Sequence, residues 1–386
     1  MNKDITPSKK IHSIEDARNL AKKRVPRLMF DFVDGASGDE RLCELNSSSL
    51  DQIRLEPKVL RNVEKRNLNK KFFNFDFDLP FGFAPMGMCN LTWPNADKML
   101  ANESIHNNIP VCVSMASTTS LENMYELSKG NSWLQLYIFQ DENFVMELLE
   151  RAEKTGYKVL ILTVDVPIQF RRAKDDKNGF TVPFKIGPKQ FFDFATHPVW
   201  SLTTLFSGIP KPMNYVTSKS GSKFVRSESR GSTDWETLKR IRNAWKGKLI
   251  IKGVMSPEDA TKIKNEGADA IQVSNHGGRQ LESATSAINA LPLIRKALGK
   301  EFPIIFDSGI RSGSDIVRAL AFGADYAMIG RPLMYGIGAD GSRGLRRVLN
   351  IIKEELSTTL GLVGLTDIND VSSEIIAEKF FKDMKY

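Results

Sequence analysis

The stretch VLILTVDV, residues 159–166, decides the fold, because its apolar residues run on without the polar alternation of a half-buried strand. A short, continuous apolar run is typical of a strand that is covered on both faces, as in parallel sheets. The run closes on the polar residues Thr163 and Asp165. It therefore predicts one buried strand of a parallel sheet, with chemistry at its carboxyl end.

Runs of the same kind recur from residue 81 onward, and amphipathic segments separate most of them. They are FGFAPMG (81–87), IPVCVSMAS (109–117), WLQLYIF (133–139), KLIIKGV (248–254), AIQVSNH (270–276), PIIFDSG (303–309) and YAMIGRP (326–332). The segments between them, such as NFVMELLERAEKTG, carry apolar residues at helical spacing and a glycine stop signal. Eight strands alternating with helices predict an α/β fold, the (β/α)8 TIM barrel. A doubly wound open sheet is the rival, and the lack of GxGxxG after the first strand disfavours it.

Two regions lie outside the barrel pattern within a predicted single domain of residues 1–386. Residues 1–80 form an N-terminal extension with a Ser-capped helix, SIEDARNLAKKRV (13–25), followed by a polar, irregular stretch. The barrel itself spans 81–386, and a long insertion follows its fourth strand. The core of that insertion is predicted at 181–228.

The insertion combines aromatic residues with cations. Between 181 and 226 it holds six Lys or Arg, the single acid Asp193, and these aromatics: Phe184, Phe191, Phe192, Phe194, Trp200, Phe206, Tyr215 and Phe224. Such a mixture suits a membrane interface or another docking surface. A helical lid packed on the barrel is the alternative. The Ser/Lys-rich end of the insertion, TSKSGSKFVRSES (217–229), is predicted to be mobile.

Composition excludes several classes of protein. The chain is 41% hydrophobic and 26% charged, as in ordinary globular proteins, with a net charge of +8 that suits an anionic ligand or acidic membrane surface. No nucleic-acid motif and no metal-ligand spacing is present, so we expect neither nucleic acid nor metal as a partner. Three cysteines without CxxC spacing indicate a reducing compartment. Without a signal-peptide pattern or an apolar run long enough to span a membrane, the protein is predicted to be cytoplasmic.

Polar residues close almost every predicted strand, and in a barrel these ends meet on one rim. From the second strand to the eighth they are Ser114, Gln135, Tyr137, Thr163, Asp165, Lys252, Ser274, His276, Asp307, Gly309, Arg311, Gly330 and Arg331. The first strand ends at Pro85, Met86 and Gly87. Arg172 and Arg279 follow the fourth and sixth strands. We therefore expect one site at this rim.

Two glycine-rich turns indicate an anion site there. DSGIRSGSDI (307–316) and IGRP (329–332) each combine glycines with an arginine. Glycines let backbone N–H groups approach an anion, and the following helix adds a favourable dipole. Plain tight turns would explain the glycines but not Arg311 and Arg331. The pattern predicts a phosphate-bearing cofactor or substrate.

Lys252 is a cation inside an otherwise apolar strand, and such a residue needs a partner. An anionic group over the barrel mouth is one explanation. A Schiff-base lysine is a second, and pairing with a carboxylate such as Asp307 is the third.

Two roles are possible for His276. A lone histidine is usually a hydrogen-bonded core residue, but Asp165 at the same level could orient His276 as a base. Arg172 and Arg279 could grip a carboxylate. Together these residues predict a site that takes a proton from an anionic substrate.

The order of these motifs resembles the FMN-dependent 2-hydroxy-acid oxidases and dehydrogenases, which include glycolate oxidase, flavin-type L-lactate dehydrogenase and mandelate dehydrogenase. The resemblance covers nearly the whole chain, from residues 25–40 to 330–337, and SNHGGRQ (274–280) is its most specific part. QLY, LTVD, IKGV, DSGIRSGSD and IGRP occur in the family's order. The resemblance implies FMN as cofactor and oxidation of an L-2-hydroxy acid, L-lactate being favoured, to the 2-oxo acid.

The resemblance also implies a role for each residue at the rim. His276 is the base and Asp165 its partner, while Tyr137 lies near the substrate oxygen. Arg172 and Arg279 bind the substrate carboxylate. The expected flavin contacts are Lys252 near N1; Ser114, Gln135, Thr163 and Ser274 on the ring edge; Pro85, Met86 and Gly87 beneath the ring; Asp307 on the ribityl chain; and Gly309, Arg311, Gly330 and Arg331 on the phosphate.

Three positions depart from the family pattern. Phe32 stands where a tyrosine is common, so one hydroxyl toward the substrate carboxylate is lost. Phe170 stands where a glycine is usual, which is expected to shift Arg172. Ala116 replaces the tryptophan of many glycolate oxidases, which leaves room for a larger substrate unless Phe170 fills it.

The electron acceptor is inferred from two further likenesses. Gly87 resembles the dehydrogenases rather than the oxygen-using oxidases, which tend to have alanine, and the insertion resembles the membrane-docking loop of bacterial dehydrogenases. The resemblance thus implies a quinone or cytochrome acceptor, a peripheral position on the inner face of the cell membrane, and a homotetramer. A soluble oxygen-reducing oxidase of the glycolate type is the alternative. An FMN-binding barrel isomerase and a non-catalytic flavin-binding protein are the more distant ones.

Overall fold

Eight parallel strands close into a barrel, and the last of them pairs with the first to complete the ring. The computed structural model describes residues 5–138, 141–181, 186–222, 224, 230–231 and 233–377. Its strands are β1 (Lys70–Phe72), β2 (Phe75–Phe77), β3 (Phe81–Met86), β4 (Val111–Ser114), β5 (Ser132–Leu136), β6 (Val159–Thr163), β7 (Lys248–Val254), β8 (Ala270–Val273), β9 (Ile304–Phe306) and β10 (Tyr326–Ile329). Strands β3 to β10 follow one another around the barrel in chain order. The predicted (β/α)8 architecture is confirmed.

Helices surround the barrel and build the regions outside it. They are α1 (Ile14–Arg24), α2 (Arg27–Asp34), α3 (Arg41–Gln52), α4 (Ala96–His106), α5 (Leu121–Leu127), α6 (Glu142–Thr155), α7 (Ala173–Asn178), α8 (Pro188–Ala195), α9 (Pro198–Ser207), α10 (Met213–Val216), α11 (Trp235–Ala244), α12 (Pro257–Asn265), α13 (Ala287–Leu298), α14 (Gly313–Ala321) and α15 (Arg331–Leu362). The backbone of α15 leaves helical geometry at Asp340 and Gly341. Short 3-10 turns occupy Cys89–Leu91, Ile368–Asp370 and Ser373–Ile375.

Strand β6 shows why an unbroken apolar run suits this fold. Val159 and Ile161 belong to the core inside the barrel, whereas Leu160 and Leu162 belong to the core beneath the helices. Every side chain of the strand is buried, because successive residues of a strand point to opposite faces. The next inward position after Ile161 is Thr163, at the mouth. The polar strand ends are therefore the top of the inward-facing row.

An antiparallel hairpin of β1 and β2 packs against the N-terminal ends of the strands. Its Phe72 and Phe77 contact Trp133 and Tyr326 inside the barrel, with ring centroids 5.2–6.2 Å apart. Aromatic packing of this kind fills the barrel interior away from the mouth. The mouth is left as the open end.

The N-terminal extension is more regular than the sequence predicts. Helix α1 begins after Ser13, whose hydroxyl accepts from the Asp16 backbone N–H at 3.0 Å, as expected for a capping box. The stretch predicted to be irregular holds α2, α3 and the hairpin, so that part of the prediction is wrong. Short amphipathic helices with few stop signals carry little sequence signal.

The extension is tied to the barrel mouth by buried polar contacts. The amides of Asn46 in α3 and Asn275 after β8 exchange two hydrogen bonds, at 2.7 and 2.8 Å. Ser37 donates to the Gly278 carbonyl from its backbone N–H and its hydroxyl, at 3.0 and 2.9 Å. The extension therefore forms part of the wall of the site.

The insertion after β6 contributes α7 to α10. Three contacts fix it to the rest of the protein, one to α2 of the extension and two to the barrel. Asp193 in α8 accepts from the backbone N–H groups of Arg27 and Leu28, which start α2, at 2.9 and 3.0 Å. Trp200 in α9 donates to the Thr92 carbonyl at 3.0 Å. Asn214 in α10 is fully buried. Of the sequence prediction for this segment, Phe184 and residues 223 and 225–229 lie outside the described residues.

Among the residues that the structure describes, no helix is both long enough and apolar enough to cross a bilayer.

Asn214 is expected to stabilise the insertion against the mouth of the barrel. Its side-chain oxygen accepts from the Leu121 N–H at 2.8 Å, and its amide donates to the Met115 carbonyl at 3.1 Å. Asn214→Ala leaves two buried backbone groups without these partners, each costing about 1–3 kcal/mol. We expect the free energy of unfolding, measured in urea, to fall by about 2 kcal/mol or more. Asn243→Ala on the exposed face of α11 is the matched control, and equal losses in both variants would contradict the prediction.

Candidate active site at the carboxyl ends of the strands

One cavity lies over the carboxyl ends of the strands and brings together most of the predicted site residues. Those that line it are Pro85, Met86, Gly87, Ser114, Tyr137, Arg172, Lys252, His276, Arg279, Asp307, Gly309, Arg311, Gly330 and Arg331. Gln135, Thr163, Asp165 and Ser274 stand behind this lining, and each is hydrogen-bonded to a residue that lines the cavity or to the next member of the same network. The barrel rim therefore forms one site, as the sequence predicts.

The centre of the site is a buried pair formed by His276 and Asp165. Nδ1 of His276 lies 2.9 Å from Oδ1 of Asp165, and Nε2 lies 3.4 Å from the Tyr137 hydroxyl. A carboxylate can only accept, so Nδ1 carries the proton of the neutral imidazole and Nε2 keeps its lone pair. That lone pair is on the side of the ring that faces Tyr137. The geometry suits a general base.

The ionisation of the pair supports the same role. Burial lowers the pKa of His276 below its usual 6.5, and Lys252 adds to this effect while Asp165 opposes it. Burial alone would raise the pKa of Asp165, but the charges of His276 and Lys252 outweigh it and hold that pKa below the ordinary value. At neutral pH His276 is thus a neutral base beside an ionised carboxylate.

The backbone around the base is held in an uncommon conformation. His276 and Ser308 both have positive φ, 60° and 83°, which non-glycine residues seldom adopt. The Ser308 hydroxyl accepts from the backbone N–H groups of Asn275 and Gly277 at 3.2 and 3.0 Å. Such strain persists where surrounding contacts enforce it and is typical of functional sites. It fixes the direction of the imidazole.

A chain of polar side chains forms one edge of the cavity. The Ser114 hydroxyl donates to Oε1 of Gln135 at 3.0 Å, and the Gln135 amide donates to the Thr163 hydroxyl at 3.0 Å. All three residues are buried. The chain gives the cavity an ordered row of donors and acceptors, as the edge of a flavin ring requires.

Lys252 continues this row with a cation, on the next strand and in register with Thr163. Its ammonium donates to the Ser274 hydroxyl at 2.9 Å and lies 3.5 Å from Oδ2 of Asp307. Burial works against the charged form, but Asp307 and Asp165 outweigh it and raise the pKa of Lys252. This raised pKa favours the charged ammonium and disfavours the neutral amine that a Schiff-base lysine needs. Asp307 is thus the carboxylate partner that the sequence suggested, and the Lys252 ammonium also lines the cavity.

The far end of the cavity fits an anionic tail. Gly309 and Arg311 follow β9, and α15 begins at Arg331 directly after Gly330. Gly330 lines the cavity, and a Cβ there would be in ordinary van der Waals contact with Met86 and Ala84, the nearest atom being the Met86 sulfur at 3.6 Å. A helix start that lines a cavity beside an arginine suits a phosphate. These features, with the polar edge, fit FMN.

Arg331 is used differently from Arg311. Its guanidinium donates to the carbonyls of Val33, Gly35 and Gly277 at 3.2, 2.9 and 2.8 Å. Three of its five N–H groups are used in this way. The side chain thus ties the end of α2 to the turn after β8 and keeps two N–H groups that could face an anion.

The two arginines predicted to bind a carboxylate both line the cavity. Arg279 is held by the carbonyls of Phe32 and Val33, at 2.8 and 3.2 Å, with the ring of Phe32 5.5 Å away. Arg172 is largely buried, with Nη1 3.8 Å from a carboxylate oxygen of Asp175. Helix α2 therefore aims Arg279 through its backbone, although Phe32 has no hydroxyl to offer.

The shape of the substrate end differs from the sequence prediction. Phe170 is 38% exposed and is absent from the lining, so it does not fill the space beside Ala116. Phe180 lines the cavity instead and stacks on Phe32, with ring centroids 4.5 Å apart and planes 4° from parallel. Nothing in the local pattern around Phe180 distinguished it, because it follows a glycine in a polar segment.

Sequence reasoning also missed Arg230. It lines the cavity, is only 8% exposed, and places Cζ 4.7 Å from the centre of the Tyr137 ring. It directly follows the Ser/Lys-rich end of the insertion (217–229), where no periodic pattern places a side chain in space. Phe224 from the same segment lines the cavity as well.

Comparison with known proteins agrees with this geometry. The family model for FMN-dependent dehydrogenases matches residues 21–378. The chain is 35% identical to an L-lactate dehydrogenase of Pseudomonas syringae pv. syringae over 376 residues, which covers 95% of this chain and 99% of that one. It is also 35% identical over 374 residues to an (S)-mandelate dehydrogenase of Pseudomonas putida, covering 96% and 94% of the two chains.

Solved structures give the same picture. A structure described as the monotopic membrane protein (S)-mandelate dehydrogenase superposes with a TM-score of 0.90 at 34% identity, covering 95% of this chain and 99% of that chain. A mandelate oxidase superposes with a TM-score of 0.79 at 29% identity, covering 93% and 97%.

Replacement of His276 tests the base directly. We expect His276→Ala to slow substrate-dependent flavin reduction about 10²–10⁴-fold, the usual contribution of general-base catalysis. Stopped-flow absorbance measures the rate, and the flavin spectrum reports cofactor content. His106→Ala, at an exposed position in α4, is the control. Unchanged reduction by His276→Ala would contradict the assignment.

The pH dependence follows from the lowered pKa of His276. Because only the neutral imidazole accepts a proton, the reduction rate should stay constant from neutral pH down to a midpoint below 6.5 and then fall. Asp165 favours the protonated form, so Asp165→Asn should move this midpoint to lower pH while reducing the maximal rate. A midpoint that moves to higher pH in Asp165→Asn would contradict the assigned charges.

Proposed function

The chain belongs to the FMN-dependent dehydrogenase family, and from this premise we propose that it oxidises an L-2-hydroxy acid, with L-lactate favoured, to the 2-oxo acid. The observation that carries the proposal is the alignment of Asp165, His276 and Tyr137 at one cavity, with Nε2 of His276 free to accept a proton. Two arginines that suit a carboxylate line the same cavity.

Each side chain then has one task in the reaction. Arg172 and Arg279 bind the substrate carboxylate and orient the hydroxyl-bearing carbon. His276 accepts the hydroxyl proton at Nε2, and Asp165 stabilises the imidazolium that forms. Tyr137 donates a hydrogen bond to the substrate oxygen, which ends as the carbonyl of the 2-oxo acid.

FMN, when bound, would supply the acceptor for the two electrons and for the hydrogen that leave the hydroxyl-bearing carbon, while the hydroxyl proton goes to His276. In the proposal Lys252 faces its ring and favours negative charge there, while Ser114 and Gln135 hydrogen-bond the ring edge. Asp307 holds the ribityl chain, and Arg311 with the start of α15 holds the phosphate. The helix start and Arg311 at one end of the cavity, and the hydrogen-bonded chain from Ser114 to Thr163, support this placement.

The choice of L-lactate rests on the relatives. The similar proteins are named for L-lactate and for (S)-mandelate, and L-lactate dehydrogenases recur among them. The substrate end of the cavity is apolar, because Phe180 and Phe224 line it. Ala116 also leaves space there that Phe170 does not fill, so the larger side chain of mandelate is the competing candidate.

Anaerobic titration of the purified yellow protein tests the function. We expect L-lactate to bleach the flavin absorbance stoichiometrically, with D-lactate inactive and (S)-mandelate as the competing candidate in the same panel. Subsequent mixing with air should restore the absorbance slowly, whereas a quinone analogue or a cytochrome should restore it fast. Absence of bleaching by every 2-hydroxy acid would contradict the proposal, and fast reoxidation by oxygen would favour an oxidase.

We further propose that the insertion docks the protein on the inner face of the cell membrane, where a membrane quinone can be the acceptor. The buried side of its helices anchors them, through Trp200, whereas the other side exposes large apolar residues. These are Phe191, Phe192, Val199, Leu202, Leu205, Phe206 and Ile209, each 54–86% exposed. An apolar face of this kind beside cations such as Lys211 suits an anionic lipid surface. A similar protein is described as monotopic, which supports the proposal.

Substitution within the exposed face tests docking without disturbing its anchors. Phe191→Ser, Phe192→Ser, Leu205→Ser and Phe206→Ser combined should abolish sedimentation with vesicles that contain anionic lipid. Flavin reduction by L-lactate should stay within about twofold, because these side chains point away from the cavity. Val59→Ser with Leu60→Ser, also exposed apolar residues, is the control. A quadruple variant that still pellets with vesicles would contradict docking.

The resemblance also implies a tetramer, and we retain this as part of the proposal. Light scattering of the detergent-solubilised protein measures the assembly.

A further inference from the structure

Arg230 is a buried cation at the active-site cavity to which none of the tasks above assigns a role. Its backbone is fixed on both sides, since its N–H donates to the Pro167 carbonyl at 2.9 Å and its carbonyl accepts from the Thr233 N–H at 3.1 Å. Pro167 lies two residues after Asp165. The backbone thus delivers the Arg230 side chain to the same part of the mouth as the base.

The guanidinium of Arg230 lies against the face of the Tyr137 ring. Cζ is 4.7 Å from the ring centre, within the range of a cation–π contact. The hydroxyl at the end of that ring lies 3.4 Å from Nε2 of His276. Arg230 therefore packs on an aromatic side chain whose hydroxyl contacts the base.

A cation on the ring face has two consequences for a phenol. The planar guanidinium restricts the ring to one orientation, because stacking is lost when the ring rotates. Its charge also makes the hydroxyl a stronger hydrogen-bond donor. Burial raises the pKa of Tyr137, and Lys252, Arg230 and Arg172 oppose that rise while Asp165 adds to it.

We propose that Arg230 is a positioning residue for Tyr137, which holds the phenol ring in line with His276 and strengthens its hydrogen bond to the substrate oxygen. The inference rests on the proposed oxidation of a 2-hydroxy acid. Arg172 and Arg279 remain the carboxylate ligands, and Arg230 acts only through the ring. Its effect belongs to the chemical step, since the oxygen changes charge when its proton leaves.

A double-mutant cycle with Tyr137 tests this inference in the full-length holoenzyme. Arg230→Met keeps an apolar stem of similar length and removes the charge. We expect it to slow flavin reduction by L-lactate about 5–30-fold, the range of a desolvated cation–π contact, with KM changed less than about threefold. In the Tyr137→Phe background the same substitution should cost less than about twofold, because the hydroxyl through which Arg230 acts is already absent.

Two further variants separate positioning from a general structural role. Arg230→Lys keeps a cation on the ring and should recover at least half of the rate lost, on a logarithmic scale. Arg240→Met, at a half-exposed arginine on α11, is the matched control and should leave both kcat and KM unchanged. Arg230→Gln repeats the cycle if Arg230→Met does not retain its flavin.

Each outcome decides between distinct explanations. Equal losses from Arg230→Met with and without the Tyr137 hydroxyl would overturn the inference. A variant that leaves L-lactate oxidation unchanged but raises KM for a 2-hydroxy dicarboxylic acid would also overturn it, and would assign Arg230 to a second carboxylate. Wild-type protein that no hydroxy acid reduces would overturn the proposed function itself, whereas additive losses in an active enzyme overturn only the role of Arg230.

Discussion

Closure of eight parallel strands is the constraint on which every part of this site depends. It brings Asp165, after β6, and His276, after β8, to a separation of 2.9 Å although β7 lies between their strands. The register shift in β7 next to Lys252 and the positive φ of Gly253 make this possible. A Cβ at Gly253 would lie 2.4 Å from the Cβ of Asp165, so only glycine admits the carboxylate there.

The electrostatics of the cavity define what it can bind. Lys252, Arg172, Arg230 and Arg279 line it together, and buried cations are stable only beside anions. Asp307 neutralises part of the positive charge of Lys252. An anionic cofactor and an anionic substrate would neutralise the remaining positive charge of the cavity. Burial lowers the pKa of His276 and keeps the imidazole neutral, and the nearby cations Lys252 and Arg172 add to this effect.

The predictable part of the site is the part that strand periodicity controls. Inward-facing residues recur every second position, so Gln135, Thr163 and Lys252 could be placed at the mouth from the sequence alone. Arg230 and Phe180 could not, because each reaches the cavity from an irregular segment that tertiary contacts position. The hydrogen bonds of the Arg331 side chain could not be predicted either. Its partners are backbone carbonyls, which every residue carries, so no residue type in the sequence indicates them.

The insertion and Arg279 both contact α2, which explains why the extension and the insertion belong to the site. Asp193 of the insertion caps the first N–H groups of α2, at the positive end of the helix dipole. The last carbonyls of the same short helix, from Phe32 and Val33, hold Arg279. The insertion that carries the apolar face proposed to meet the membrane and the arginine proposed to bind the substrate are therefore held at opposite ends of one helix.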